Sequence, residues 1–174
     1  VANPAILDAN SANRATTGRV MLVDAVVQVS IDGLTIQNGD AGSNDGGGIR
    51  NDGDLSVSNS TFSGNNATNG GGISSEDDAI LLIEDSTFNG NDAFIAGGGL
   101  LYDTFNLDAT LTIRNTRFEA NGLMERPLGG GAYVYGNAFI SDAQFVGNAG
   151  NEGGGVFNGD ILTITDITFE GNSA

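Results

Sequence analysis

The chain contains no cysteine, no histidine and no lysine, and only 2 of its 174 residues are proline. Without Cys or His it has no thiol or imidazole chemistry, and zinc and haem lose their usual ligands. The lack of Cys is compatible with export but does not require it. Without Lys, the 6 basic residues are all Arg, set against 22 acidic ones, for a formal net charge of -16. That charge repels phosphate backbones and anionic membrane surfaces, so nucleic acid is not an expected partner. It favours solubility and loose binding of divalent cations. No apolar run is long enough to span a bilayer. Val1 opens the chain without a signal peptide, as expected of a processed product or a fragment.

Glycine is what the chain has in excess: 28 residues, without the every-third-residue period of collagen. Apolar residues make up 39%, enough for a continuous core, and the length suits one domain covering 1–174. So much glycine beside a normal apolar content fits a chain that turns often.

The turns repeat. Five Gly triplets, Gly46-Gly47-Gly48, Gly70-Gly71-Gly72, Gly97-Gly98-Gly99, Gly129-Gly130-Gly131 and Gly153-Gly154-Gly155, each precede an apolar or small residue. Alternating with them are five Phe-x-x-Asn units: Phe62/Asn65, Phe88/Asn91, Phe118/Asn121, Phe145/Asn148 and Phe169/Asn172. Between the two lies a segment of fixed length whose first and third residues are apolar: Leu55/Val57, Leu81/Ile83, Leu111/Ile113, Ala138/Ile140 and Leu162/Ile164. Alternation of this kind is that of a strand with one buried face. Its fifth position is always Asn or Asp (Asn59, Asp85, Asn115, Asp142, Asp166), residues that tolerate tight bends. An earlier copy, Val29/Ile31/Ile36, lacks the triplet and has Ile for Phe.

A unit of this size cannot bury its apolar face alone, whereas stacked units close a core and pair each strand with its counterpart. The expected fold is all-β: a right-handed parallel β-helix of about six coils with three short strands per coil. Residues 1–45 would form an N-terminal cap, polar over 1–18, and a diverged first coil; residues 46–174 would form five coils. Equivalent residues then stack, so the Phe column becomes an internal aromatic ladder and the Asn column an amide ladder.

These motifs resemble the GGA[ILV] and FxxN repeats of chlamydial polymorphic outer-membrane proteins, and related β-helix repeats of large bacterial surface proteins. The likeness runs over roughly 46–172. One departure is that the triplet here is mostly GGG rather than GGA. The resemblance implies an extracellular or cell-surface location.

Catalysis is not expected. Pectinases on this fold use aspartates, but with a Gly-His-Gly and an Arg-x-Lys segment that a chain without His or Lys cannot supply. A lyase would need a basic group near calcium ligands, and only Arg114 and Arg117 lie close in sequence to several acids. Glycine-rich segments cradle phosphate when a helix follows, whereas short β-type segments follow here. Glu76, Asp77 and Asp78 are weak calcium candidates, with a solvated loop as the bland alternative; no other cofactor is expected. Asn59-Ser60-Thr61 and Asn66-Ala67-Thr68 match the glycosylation pattern by chance.

The candidate interaction surface comes from register. If the residue after each triplet points inward, the next one (Arg50, Ser74, Leu101, Tyr133, Phe157) points outward, and the last three make an apolar stripe. The third full coil is swollen by two loops, 101–110 and 122–128, carrying Tyr102, Phe105, Leu107, Leu123 and Met124. Their side chains either form a binding site or fold back as a local cover. The leading expectation is a structural, adhesive or filament-forming module. Its partners would be itself, packed end to end or laterally, or a host or cell-surface protein or glycan. The alternative is a carbohydrate-binding or carbohydrate-cleaving module.

Overall fold

The computed structural model describes residues 5–9, 18–106 and 108–174. Among them the regular elements are all strands, and every strand pair is parallel. Each coil runs through three sheets. The strand after the glycine triplet joins a six-stranded sheet from Met21–Val23 to Val156–Asn158. The Leu-x-Ile segment joins a second, from Gln28–Asp32 to Leu162–Thr165. The Phe segment joins a third, seven-stranded, from Ala5–Asp8 to Thr168–Glu170. The chain is therefore a parallel solenoid of six coils preceded by one extra strand. Ala5–Asp8 lies in register with Leu34–Gln37, so this part of the expected N-terminal cap is a strand. The remaining residues assigned to the polar cap, 1–4 and 10–17, lie outside the described residues.

Two coils depart from three strands. Asn66–Asn69 and Asp92–Ala96 form a small fourth sheet between the Phe sheet and the next triplet.

Bends repeat as faithfully as strands. Asn59, Asp85, Asn115, Asp142 and Asp166 all have φ between 43° and 54°, and Gly33 takes the same place in the first coil at 66°. Two positions beyond each Phe is a second left-handed corner: Gly64, Gly90, Gly147 and Gly171, with Ala120 at 54° in the remaining coil. The first glycine of every triplet is the third; at Gly97 (φ 66°) a Cβ would lie 2.3 Å from the Leu100 carbonyl oxygen. Asx and Gly occupy these places because they enter the left-handed region at least cost.

The core is a set of internal columns. Phe62, Phe88, Phe118, Phe145 and Phe169 stack face to face at centroid distances of 4.6, 4.7, 4.8 and 5.2 Å. Beside them runs the amide ladder. Each Asn from Asn65 to Asn148 donates Nδ2 to the Oδ1 of the next and to the carbonyl of the Phe-position residue one coil back. The same Oδ1 also accepts the backbone N–H of the preceding Asn, so a buried amide has its polar groups satisfied within the column. In the first coil the place of Asn is taken by Gly39, whose N–H donates to Asn65 Oδ1. At the last coil the columns meet solvent: Phe169 is 51% exposed and Ile164 49%.

Candidate interaction surfaces

The outer face of the post-triplet sheet is built from two neighbouring columns. One reads Arg50, Ser74, Leu101, Tyr133, Phe157; the other reads Glu76, Asp103 and Tyr135. Strand alternation puts Tyr133 and Tyr135 outward while Ala132 and Val134 enter the core. Tyr133 stacks on Phe157 at 5.1 Å with rings 5° apart, and Phe105 meets the Tyr135 ring edge-on at 5.3 Å. Tyr135 covers Gly159: a Cβ there would sit 2.6 Å from the ring. Four aromatic side chains thus gather on one face of the rod, partly open to water, with Phe105 85% exposed.

Acids border this cluster. Burial, and then the charge of Asp77, pushes the Asp103 carboxyl above the usual carboxylate range. Burial, reinforced by Asp103 and Tyr135, pushes the Tyr133 phenol up as well. Further toward the N-terminal end the face becomes ionic. Arg50 pairs with Asp52 at 2.9 Å, Asp45 at 3.6 Å and Glu76 at 3.7 Å, while Ser74 Oγ donates to Glu76. Glu76 is therefore committed to Arg50 and Ser74, and Asp77 sits in a left-handed turn (φ 58°). Among the described residues no group of three or more acids is placed to hold a metal ion. The weak calcium assignment to Glu76, Asp77 and Asp78 is not supported by their geometry.

Two members of the expected surface are buried. Tyr102 is fully buried, because the strand runs on through Leu100–Asp103 and alternation turns Tyr102 inward. Its hydroxyl donates to the Ala79 carbonyl at 3.4 Å, and burial pushes the phenol well above its ordinary value. Leu101 does lie on the outer face but is only 5% exposed, in register between Ser74 and Tyr133. Ser74 is likewise covered. The stripe of outward residues is therefore partly open at Tyr133, at Phe157 and, at the ionic end, at Arg50. Leu107 lies outside the described residues.

The remaining loop residues point to water: Leu123 is 56% exposed and Met124 75%. They do not fold back as a cover. Near them lies a pair that sequence reading missed, Phe94 and Ile95, both exposed, on the strand Asp92–Ala96. Phe94, Ile95, Glu125, Arg126, Leu128 and Asn151 line a shallow groove of about 490 Å³. The signal available in the sequence was an adjacent bulky apolar pair just before a glycine triplet, present in that coil alone.

With this architecture in view, comparison with known proteins gives a class. The model of the family described as "Right handed beta helix region" matches residues 8–174, and the chain belongs to that family. The chain is also similar to "Probable outer membrane protein pmp20" of Chlamydia pneumoniae, at 39% identity over 87 residues. That alignment covers 45% of this chain and 5% of the chlamydial protein. No solved structure matches the chain significantly.

Proposed function

We propose that this chain is a non-catalytic module of an extracellular or cell-surface protein, with a rigid rod that displays interaction surfaces. The observation that carries this reading is the outward placement of bulky apolar groups on a fully registered solenoid. Tyr133, Tyr135 and Phe157 are held by strand pairing, and Phe105 packs edge-on against the Tyr135 ring. Exposed apolar clusters on a rigid scaffold mark contact sites. The similarity to a protein named as an outer membrane protein supports the location.

The carbohydrate reading draws on the same aromatic cluster. Sugars stack on open ring faces, whereas Tyr133 and Phe157 lie parallel and face each other. That arrangement favours a protein contact over a pyranose platform.

The test is a polysaccharide panel assayed for product release and for retardation of the protein in affinity gels. Neither is expected. Release of reducing or unsaturated ends would overturn the non-catalytic reading. Retardation abolished by Tyr133→Ser/Phe157→Ser would replace it with glycan binding. Electron microscopy over a concentration series separates the partner classes: rods many coils long would establish self-assembly, and uniform short particles would direct attention to other proteins.

A further inference from the structure

The structure holds a second apolar surface, away from the aromatic cluster and from both ends of the rod. Two separate local devices expose it. The first is a bulge. Ala93 pairs with Ala67 but Ala96 pairs with Asn69, so the strand Asp92–Ala96 carries one residue more than its neighbour. Regular alternation would turn one of two successive residues inward. The extra residue instead leaves Ala93 and Ala96 buried and turns both Phe94 (67% exposed) and Ile95 (51%) outward.

The second device is a clamp. Asp92 is 2% exposed, and its carboxylate accepts the backbone N–H of Ala93 at 3.0 Å and of Met124 at 3.1 Å, with Glu125 N–H also directed at it. It fixes the turn in 122–128, which Arg126 N–H closes on the Gly122 carbonyl. The far side of that loop is tied by Leu128 N–H to the Ile95 carbonyl and by Asn151 N–H to the Pro127 carbonyl. Leu123 and Met124 are thus held out in water by a buried carboxylate. Burial pushes this carboxyl above the usual range, so the arrangement carries a desolvation cost. Bulge and clamp are independent in sequence, yet they form the two walls of one groove: the bulge supplies Phe94 and Ile95, and the clamped loop supplies Glu125, Arg126 and Leu128.

We propose that the groove between Phe94–Ile95 and the 122–128 loop is a docking site for a cationic protein segment that inserts apolar side chains between flanking Lys or Arg. The proposal rests on the reading of the chain as an interaction module and names the surface and its partner's chemistry. Charge selects the occupant. The chain carries -16, and the single groove-lining cation, Arg126, stands against Glu125 in the lining and Glu152, which is bridged to Leu128 beside it. A second copy would bring the same charge to the same face and be repelled, whereas a basic partner is steered toward it.

The test uses a fluorescent Lys-Leu alternating dodecapeptide and a Lys-Ser control, titrated by anisotropy against the chain and two double variants. The chain should bind the Lys-Leu peptide at least 10-fold more tightly than the Lys-Ser one, and more weakly as salt rises. Phe94→Ser/Met124→Ser should lose at least 10-fold, and Tyr133→Ser/Phe157→Ser should bind unchanged. Ile95→Asp, a single change on the exposed groove wall, repeats the test should the first double variant unfold. Equal binding of both peptides, or of the chain and the Phe94/Met124 variant, would overturn the proposal, as would absence of binding. A dimer in sedimentation that the Phe94/Met124 variant abolishes would assign the groove to a second copy. Loss confined to the Tyr133/Phe157 variant would refute this surface while leaving the interaction reading intact. The interaction reading stands or falls by the polysaccharide and microscopy results.

Discussion

Asn121 Oδ1 accepts two hydrogen bonds from one residue, the backbone N–H and the Nδ2 of Asn91, each at 3.0 Å. Asn121 in turn donates its own Nδ2 to the Phe88 carbonyl and to Asn148 Oδ1. A single side chain therefore satisfies donors and acceptors in three successive coils, in a place where water does not reach.

Replacing Asn121 with Leu should destabilise the fold by about 3 kcal/mol, because it strands two donors of Asn91 and the Phe88 carbonyl in the interior. Asn172→Leu removes a similar set at a partly open end and should cost about 1 kcal/mol, since water can substitute. Urea midpoints at unchanged slope would measure both. Equal losses would show that the ladder is not protected from water.

The Phe column should be graded in the same way. Phe118 is fully buried between Phe88 and Phe145, and Phe118→Ala should cost about 3–5 kcal/mol through the cavity it leaves. Phe169 is half exposed, and Phe169→Ala should cost about 1 kcal/mol. Thermal melts followed by circular dichroism would rank them, and a reversed order would refute the buried stack.

Ala120 stands at a corner where four other coils place Gly, with φ 54°. Ala120→Gly should stabilise the protein by about 0.5–1 kcal/mol, the relief of left-handed strain exceeding the added freedom of the unfolded chain. The reverse change, Gly97→Ala, introduces both that strain and a 2.3 Å clash with Leu100, and should cost more than about 2 kcal/mol. Denaturant midpoints of the pair should move in opposite directions.

Stability should rise as the solution is acidified from neutral, then fall again. Burial raises Asp92 and Asp103 above 3.8, so the folded chain binds their protons more tightly than the unfolded one. Their contribution is complete below 3.8 and lost as pH climbs through the folded values. Asp32 is lowered by hydrogen bonds from Asn59 and then Ser58, and Glu119 by its bond from Arg117. Theirs is present above 3.8 and 4.5 respectively, and is lost as pH drops through the lowered values. Relief of repulsion in a chain of charge -16 acts in the same sense as the first pair. Melting temperatures across a pH series should peak on the acid side of neutrality; a plateau from neutral to alkaline pH with no acid-side maximum would contradict the assignment.

The interior of the solenoid was legible because its rule is one-dimensional. Residues one coil apart are forced into register, so a repeat in the sequence becomes a column in space. The Phe stack, the amide ladder and the Asx bends follow from spacing alone. Less visible was a second polar ladder at the adjoining corner, where Ser60 N–H donates to Ser86 Oγ and Leu34 N–H to Ser60 Oγ. Serine and threonine are common in turns and carried no distinct signal. From the sequence Tyr102 falls in a loop, because the swollen coil hides where its strand stops; two more paired residues are enough to turn it inward.

The amino-acid sequence by itself determined the parallel β-solenoid, its coil boundaries and its internal columns, because each is a consequence of periodicity and of residues that tolerate left-handed bends. Only the tertiary structure decided which outward side chains reach water. It covered Leu101, turned Phe94 and Ile95 out through a bulge, and clamped 122–128 onto Asp92. These depend on contacts between non-repeating insertions in neighbouring coils, where no periodic rule sets direction and the local hydrogen-bond balance does.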